Sequence, residues 1–271
     1  MQVANKVFVV TGGGNGIGRE VVLGLLQRGA AVAAVDLRSE ALEQTATLAS
    51  AGERLTLHTC DISDREAVES LADEVLARHG HVDGLLNVAG ITQKFVPFSE
   101  LSYEETERVL SVNLWGTIYT TKTFLPTLLT RPEASIVNVS SMGGFLPVPG
   151  QTVYGASKAA VKLLTEGLYS ELRETSVAVT IVFPGAIGTQ ITTNSGVEVP
   201  GAGKREISAE EAARRTTPAP EAAAKIIEQA VEKGEFRVTL GKDAAMLDRM
   251  VRIAPQRATD FIARKMADLL G

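Results

Sequence analysis

Short runs of apolar, mostly β-branched residues alternate along the chain with longer segments in which apolar residues recur at helical spacing. The apolar runs cover residues 7–10, 31–35, 55–59, 84–88, 135–139 and 177–182. The segments of helical periodicity between them cover 17–28, 39–50, 64–79, 103–130 and 152–174. This alternation is typical of βαβ units, and the unbroken apolar character of the runs indicates strands covered on both faces. We therefore predict an α/β fold with a doubly wound, mostly parallel sheet in three layers, helix on sheet on helix.

The pattern changes after the sixth apolar run. Pro184-Gly185 opens a long segment rich in Gly, Thr, Ser, Glu and Arg that ends near Pro220. In a compact domain such a loop is usually a lid or binding segment rather than a linker, so we predict a lid over residues 185–220. A helix over 221–233, a strand over 236–240 and two short helices separated by Pro255 follow. We assign residues 1–271 to a single domain with a C-terminal helical extension over 241–271.

Composition and charge narrow the function classes. Hydrophobic residues make up 45% of the chain and charged residues 22%, which is typical of a soluble globular protein. The formal net charge of -5 lacks the basic excess that phosphate-backbone binding needs, so we expect no nucleic acid as a partner. Cys60 is the single cysteine, which excludes an internal disulfide and a Cys-rich zinc site. His58, His79 and His81 show no metal-ligand spacing, and we expect no metal.

The chain shows no targeting pattern. No segment approaches about 18 consecutive apolar residues, and the apolar run near the start is too short for a signal peptide. We therefore expect no integral membrane association, and the single cysteine fits a reducing, cytoplasmic location. For the mildly basic extension, with apolar residues such as Met246 and Ile253, we prefer a docked amphipathic helix pair to contact with a membrane surface.

A glycine-rich turn directly follows the first predicted strand and opens the first predicted helix. It consists of Thr11-Gly12-Gly13-Gly14-Asn15-Gly16-Ile17-Gly18. Glycines there permit positive φ and let the backbone approach a phosphate, while the helix N-terminus supplies free N–H groups, so a diphosphate is the expected ligand. A P-loop is excluded because Arg19 and Glu20 stand where Lys and Ser or Thr are needed. The GxGxxG spacing also fails, because Ile17 occupies the position of its third glycine.

The turn instead matches TGxxxGxG through Gly12, Gly16 and Gly18, and it resembles that of the short-chain dehydrogenase/reductases. Further motifs of that family follow in order: Asn87-Val88-Ala89-Gly90 resembles its NNAG segment, Asn113, Ser141, Tyr154 and Lys158 match its catalytic tetrad, and Pro184-Gly185 with Thr189 resembles its PG segment. The resemblance covers roughly residues 5–190. It implies a Rossmann-type fold and an oxidoreductase that uses a nicotinamide dinucleotide.

The resemblance also implies a set of cofactor-binding residues. They are Gly12, Asn15, Gly16, Ile17, Gly18, Asp36, Leu37, Asp61, Ile62, Asn87, Ala89, Gly90, Tyr154, Lys158, Pro184, Gly185, Ile187 and Thr189. Asp36 ends the second predicted strand, where its carboxylate would bond the adenosine ribose hydroxyls and repel a 2′-phosphate, so we predict NAD. Arg38, two residues on, could offset that repulsion and keeps NADP as the alternative. Asp61 is implied beside the adenine, although it would equally serve as a cap for the following helix.

Catalysis would rest on the tetrad. Tyr154 and Lys158 are four residues apart in a helical segment and share one face, and the ammonium is expected to favour the phenolate. The resemblance implies that Ser141 bonds the substrate oxygen and that Asn113 holds a water linking Lys158 to solvent, although Asn113 read alone is a polar residue on a helix surface. Ser140 is the neighbouring candidate, but the 13-residue spacing to Tyr154 selects Ser141. Asn87 is expected to link adjacent strands rather than to take part in chemistry.

Substrate and assembly are less constrained by the sequence. Apolar residues near the tetrad indicate an apolar secondary alcohol or ketone as substrate; they are Phe145, Leu146, Val148, Pro149, Ile187 and Ile191. The family resemblance implies a homodimer or homotetramer through helices 103–130 and 152–174. However, 236–243 departs from the Val-Asp-Gly-Gly ending of many relatives, so the extension is open to covering the substrate pocket, lengthening an interface or packing on the domain.

Three functions fit these expectations. The first is an NAD-dependent alcohol dehydrogenase or carbonyl reductase, which transfers a hydride between NAD(H) and a secondary alcohol or ketone. The second is an NADP-dependent ketoreductase. The third is a catalytically silent NAD(H)-binding sensor, against which the intact tetrad argues.

Overall fold

Residues 1–198 and 216–267 are described by a computed structural model, in which seven parallel strands form one sheet. In chain order the strands are β1 Val7–Thr11, β2 Ala31–Asp36, β3 Leu55–Thr59, β4 Gly84–Asn87, β5 Ala134–Val139, β6 Val177–Pro184, β7 Ile187–Gly188, β8 Thr217–Pro218 and β9 Arg237–Leu240. The sheet has the order β3-β2-β1-β4-β5-β6-β9, while β7 and β8 pair with each other. The order reverses beside β1, so the chain winds outward in both directions and leaves a crevice at the carboxyl ends of β1 and β4.

Helices cover both faces of the sheet. They are α1 Gly16–Gln27, α2 Ser39–Ala49, α3 Arg65–His79, α4 Tyr103–Leu110, α5 Gly116–Leu129, α6 Thr152–Leu172, α7 Ile191–Asn194, α8 Ala219–Lys225, α9 Lys242–Ile253 and α10 Pro255–Lys265. Alternate strand residues face opposite layers: Val10 packs with α1 and α8, whereas its neighbour Val9 packs with α3 and α5. The three-layer, doubly wound Rossmann-like fold expected from the sequence is confirmed.

Two helical segments differ from the sequence prediction because each contains a wider, π-type turn. Residues 103–130 were expected to form one helix, but Ser111–Trp115 is a π turn between α4 and α5. A second such turn, Ile226–Glu232, continues α8. A π turn takes in one residue more than an α turn and so shifts the faces of the helix beyond it. A pattern read with the α-helical period does not reveal a single turn of this kind. The turn places Asn113 in the interior with no exposed surface, and its interpretation as a helix-surface residue is wrong.

The two C-terminal helices form a hairpin, α9–α10, that packs beside the last strand. Pro255 begins α10, as expected from a residue that suits the first helical position. Arg237 on β9 pairs with Asp248 on α9 at 2.5 Å and lies over the ring of Phe183 on β6 at 4.0 Å. The hairpin is therefore held against the edge of the sheet.

Two further sequence predictions concern a lid and the absence of a membrane-spanning helix. The central part of the lid expected over residues 185–220, residues 199–215, lies outside the described residues, and the lid remains a prediction. Among the helices of residues 1–198 and 216–267, none combines the length and apolar character needed to cross a membrane.

A buried carboxylate ties the amino ends of the central strands together. Asp83, just before β4, accepts a hydrogen bond from the backbone N–H of Val7 at 2.9 Å and another from Arg131 Nε at 2.8 Å. Lys6 and His81 also lie within 4 Å of the carboxylate. Burial raises the pKa of Asp83, but the hydrogen bonds from Val7 and Arg131 and the charge of Lys6 outweigh it, so the pKa lies below its usual value.

We expect Asp83→Asn to lower the free energy of unfolding by about 3 kcal/mol at pH 7, because Arg131 then loses its anionic partner. A lowered folded-state pKa adds stability above the unfolded value, about pH 4, and this contribution is lost as the pH falls through the folded-state pKa. Denaturant unfolding at pH 7 and at pH 3 tests this: the difference in stability between the variant and the wild type should be smaller at pH 3. Asp73→Asn, at an exposed position of α3, is the control. Equal stability at pH 7 would contradict the prediction.

Candidate active site

The glycine-rich turn brings two backbone segments into contact at the crevice. Gly12 has φ +71°, and a Cβ on it would lie 2.9 Å from Ala89. A Cβ on Gly18 would overlap the carbonyl oxygen of Gly12, so neither position admits a side chain. The hydroxyl of Thr11 accepts hydrogen bonds from the N–H groups of Val88 and Ala89 at 3.1 and 3.2 Å. The loops after β1 and β4 are thus fixed together with bare backbone between them.

A cleft of about 260 Å³ opens above this contact. The expected cofactor residues that line it are Gly12, Asn15, Gly16, Ile17, Gly18, Asp36, Leu37, Asp61, Ile62, Ala89, Gly90 and Thr189. Asn15 caps α1 by accepting from Gly16 N–H, and the first turn of α1 contains no acidic residue. The positive end of the α1 dipole therefore lies uncompensated at the cleft, which favours an anionic group there.

Asp36 is held at the rim of the cleft by two backbone groups. Its carboxylate accepts from Gly14 N–H at 3.0 Å and from Arg38 N–H at 3.1 Å. Arg38 lines the same cleft with an exposed side chain. The anchored carboxylate of Asp36 and the exposed guanidinium of Arg38 therefore both border the cleft at the end of β2.

For Asp61 and Asn87 the sequence allowed a structural role as well as contact with the cofactor. Asp61 bonds the backbone and hydroxyl of Ser63 at 2.9 and 2.7 Å, whereas Asp64 caps α3, so the interpretation of Asp61 as the helix cap is wrong. The side-chain nitrogen of buried Asn87 donates to Asn138 on β5 at 2.9 Å, which links adjacent strands as expected. Asn87 is not among the residues that line the cleft, and its role as a cofactor residue stays a prediction.

A second cavity of about 420 Å³ adjoins the first. The two share Ile17, Val88, Gly90, Thr189 and Ile191, so they form one continuous depression over the carboxyl ends of the strands. Six further expected site residues line this second cavity: Ser141, Tyr154, Lys158, Pro184, Gly185 and Ile187. Asn113, also expected in the site, lines neither cavity.

Ser141 follows β5 in an extended conformation, with its hydroxyl beside Tyr154. Its oxygen accepts from Gly143 N–H at 3.1 Å, and it makes a hydrogen bond with the Tyr154 side chain. Ser140 lines the cavity too, but its hydroxyl donates to the backbone carbonyl of Lys158 at 2.7 Å. The geometry therefore favours Ser141 over Ser140 as the serine that faces a substrate.

Tyr154 and Lys158 lie in the first two turns of α6 and line the second cavity. Burial raises the pKa of Tyr154, and the hydrogen bond with Ser141 opposes this rise. Burial lowers the pKa of Lys158 to about 8, and its ammonium donates to the carbonyl of Val139 at 3.1 Å. The sequence led us to expect that Lys158 favours the phenolate of Tyr154. Burial acts in the opposite direction, because it disfavours the charged form of both groups, and the effect of Lys158 stays a prediction.

Asn113 acts on the loop after β4 rather than on the cavity. Its Oδ1 accepts from the N–H of Ile91 and its Nδ2 donates to the Ile91 carbonyl, both at 2.9 Å. Nδ2 also donates to the Ser157 hydroxyl on α6 at 3.0 Å. The amide thus joins the π turn, the loop and the helix that carries Tyr154 and Lys158.

Sequence reasoning missed a pair of glutamines at the start of α6. Gln93 is fully buried; its Oε1 accepts from Tyr154 N–H at 2.8 Å and its Nε2 donates to the Gly150 carbonyl at 2.9 Å. Gln151 returns the contact by donating to the Gln93 carbonyl at 2.9 Å. Gln93 therefore caps the N-terminus of α6 from a distant loop, and no local pattern could have revealed it.

Asp243 in the extension was missed as well. Its carboxylate accepts from Ala186 N–H at 2.8 Å, and it packs so closely on Gly185 that a Cβ there would overlap it. The conformation of the Pro184-Gly185 turn is thus fixed by the first residues of α9. The described part of the chain contains no group of three His, Cys, Asp or Glu side chains arranged for a metal.

Comparison with known proteins shows the family to which the chain belongs. The family model of the short chain dehydrogenases matches residues 6–199. The chain is 38% identical over 266 residues to the putative oxidoreductase SadH of Mycobacterium tuberculosis, covering 97% of this chain and 95% of that protein. The chain therefore belongs to the short-chain dehydrogenase/reductase family of oxidoreductases.

Solved structures agree with this assignment. A short-chain dehydrogenase/reductase from Burkholderia phymatum in complex with NAD superposes with TM-score 0.83 at 28% identity, covering 94% of this chain and 96% of that one. A short-chain dehydrogenase from Burkholderia cenocepacia in complex with NADP superposes with TM-score 0.79 at 26% identity, covering 97% and 99%. Relatives of this fold thus bind either dinucleotide.

We expect Gln93→Leu to lower the free energy of unfolding by about 1–3 kcal/mol, because Tyr154 N–H and the Gly150 carbonyl lose their buried partner. Amide hydrogen exchange should also accelerate in the first turn of α6, which a general loss of stability would not confine there. Gln27→Leu, at an exposed position of α1, is the control. Unchanged exchange at Tyr154 would contradict the capping role.

Proposed function

We propose that the protein is an NAD-dependent alcohol dehydrogenase or carbonyl reductase, acting on an apolar secondary alcohol or ketone. The observation that carries this proposal is the convergence of Ser141, Tyr154 and Lys158 on one cavity that continues into the glycine-turn cleft. A carbonyl oxygen between Ser141 and Tyr154 would meet two hydroxyl groups at once. The rest of the lining is mostly apolar, with Phe95, Met142 and Val148 among its members, although Thr92, Gln151, Thr189 and Thr192 also line the cavity. This composition supports a substrate with a hydrocarbon body.

The residues of the cleft fit a dinucleotide. The bare backbone at Gly12 and Gly18 and the N-terminus of α1 suit the diphosphate, and Asp36 suits the adenosine ribose. Asp61 and Ile62 would flank the adenine, while Tyr154, Lys158 and the Pro184-to-Thr189 segment would border the nicotinamide end. When bound, the nicotinamide supplies hydride transfer to or from the carbon of the substrate.

The side chains of Tyr154 and Lys158 carry out the proton transfer. Because burial raises the pKa of Tyr154, its neutral hydroxyl is the form present at pH 7 and donates a proton to a carbonyl oxygen during reduction. Alcohol oxidation requires the phenolate, so its rate rises with pH. Ser141 orients the substrate oxygen, and Lys158 replaces the proton of Tyr154. Asn113 holds the loop and α6 in place, and the relay water that it is expected to hold remains part of the proposal.

NAD is the proposed cofactor because Asp36 presents a fixed carboxylate at the ribose position. A 2′-phosphate placed there would meet a like charge, which costs several kcal/mol in comparable interfaces. Arg38 is the feature that favours NADP, since its guanidinium lines the same cleft. The two Burkholderia relatives, one with NAD and one with NADP, match both alternatives.

We expect Asp36→Ala to raise kcat/KM for NADP relative to NAD by about tenfold or more, because removal of the carboxylate removes about 1.4 kcal/mol or more of repulsion. Arg38→Ala is the matched variant and should shift the preference toward NAD. Steady-state kinetics with both dinucleotides measure the ratio. A wild-type enzyme that already prefers NADP would overturn the cofactor assignment.

We expect Tyr154→Phe to lower turnover by about 10²- to 10⁴-fold while NADH binding is retained, because only the proton-transferring hydroxyl is removed. Activity is followed at the nicotinamide absorbance with a panel of secondary alcohols and ketones, and binding by NADH fluorescence. Tyr169→Phe removes a hydroxyl from the exposed part of the same helix and should leave turnover unchanged. Full activity of Tyr154→Phe would contradict the mechanism. Tight NADH binding without turnover in the wild type would favour the sensor.

The proposal includes assembly into a homodimer or homotetramer through the faces of α5 and α6. Leu163 is 68% exposed on α6, and Gly167, one turn later, has open space beside it. Trp115 and Tyr119 stack at 5.7 Å, with Trp115 half exposed. Leu168, the residue after Gly167, is partly buried and packs toward the core. Light scattering after size exclusion distinguishes these two states from a monomer.

A further inference from the structure

The wall of the second cavity includes a residue from outside the catalytic part of the chain. Met266, directly after α10, lines this cavity together with Met142, Val148 and the active-site groups. The sequence left three roles open for the extension. Its presence in the cavity wall favours the first of them, a cover for the substrate pocket.

The α9–α10 hairpin is held rigidly enough to act as a wall. Leu247, Ala258 and Ile262 on its inner face are buried with Leu146, and Met142 packs against the same cluster. This apolar contact covers the segment that directly follows Ser141, since Met142–Gly144 is the turn next to that serine. The position of the hairpin and the floor of the cavity are therefore coupled through shared side chains.

The charged contacts fix the hairpin at its other end. Arg237 bonds Asp248 on α9 and also approaches Glu166 on α6 at 3.5 Å. Its guanidinium lies over Phe183, which contacts the Phe145 ring at a centroid distance of 5.3 Å. The hairpin is thus tied through Arg237 both to α6, the helix of Tyr154, and to the Phe183–Phe145 ring pair.

We propose that Met266 forms the distal wall of the substrate cavity and limits the length of the apolar body that the enzyme accepts. Methionine is flexible and polarisable, so it adapts to ligands of different shape while it still excludes water. The substrate class is then a ketone or secondary alcohol whose hydrocarbon part extends from Ser141 and Tyr154 to the hairpin, such as an aryl alkyl ketone. This inference rests on the proposed function for its substrate, but not for the location of the wall.

Methyl-labelled methionine NMR tests the wall without any turnover. The chain has five methionines, so [13C-methyl]methionine labelling gives few signals, which Met→Leu variants assign. With the full chain, NAD and acetophenone, we expect the Met142 and Met266 signals to shift and the signal of Met246, exposed on α9, to stay. A shift of Met142 without Met266 overturns the inference and leaves the proposed function intact. No shift of either signal overturns both.

Substrate selectivity provides the second readout. We expect Met266→Ala to raise the ratio of kcat/KM for 4′-butylacetophenone to that for acetophenone by about tenfold, and Met266→Phe to lower it, because hydrocarbon fit in a pocket discriminates on this scale. Met246→Ala is the control and should leave the ratio unchanged. An unaltered ratio in both Met266 variants overturns the inference. Shifted NMR signals without reduction of any ketone support the wall but contradict the proposed chemistry.

Discussion

The hydrogen bond between two buried amide side chains, Asn87 on β4 and Asn138 on β5, holds the centre of the sheet in register below the site. Thr120 and Thr121 of α5 bond the remaining groups of Asn87, and Thr165 of α6 accepts from Asn138. Every member is buried, so loss of one group leaves its partner unsatisfied at a cost of about 1–3 kcal/mol. The network therefore fixes both helices against the strands whose ends border the cavities.

The site depends on this constraint because its groups arise from separate elements. α6 is anchored in its middle by Thr165, while Gln93 caps its first turn and Ser140 bonds the carbonyl of Lys158. Asn113 then joins the loop after β4 to the same helix. Tyr154 is thus held relative to Ser141 by several independent contacts, and a hydroxyl pair fixed in this way needs little reorganisation when a carbonyl oxygen enters.

The sequence predicts two kinds of feature: strands and helices, which have a periodic apolar pattern, and turns whose residues are consecutive in the chain. The seven predicted strands agree with β1 to β6 and β9 to within two residues, since buried β-branched runs are local signals, whereas the two-residue strands β7 and β8 were not predicted. The glycine turn is visible because its steric demands fall on consecutive residues. The burial of Asn113 was not predictable, because the π turn at Ser111–Trp115 changes which residues face inward, and a pattern read with the α-helical period does not show this change. Gln93 and Asp243 act on residues 61 and 57 positions away, and such contacts exist only once the fold has formed.

The hairpin lies after the last strand of the described sheet and outside the amide network. Met266, directly after the hairpin, lines the cavity, and the inner face of the hairpin packs with Met142, which lines the cavity too. The hydrogen bonds that set α5, α6 and the central strands run between other segments. Sequence change at Met266 would therefore alter the lining of the second cavity, while the hydrogen bonds that Gln93, Ser140 and Thr165 make around α6 stay in place. The wall of the cavity can thus vary in the segment after α10 without loss of the contacts that position Tyr154 and Lys158.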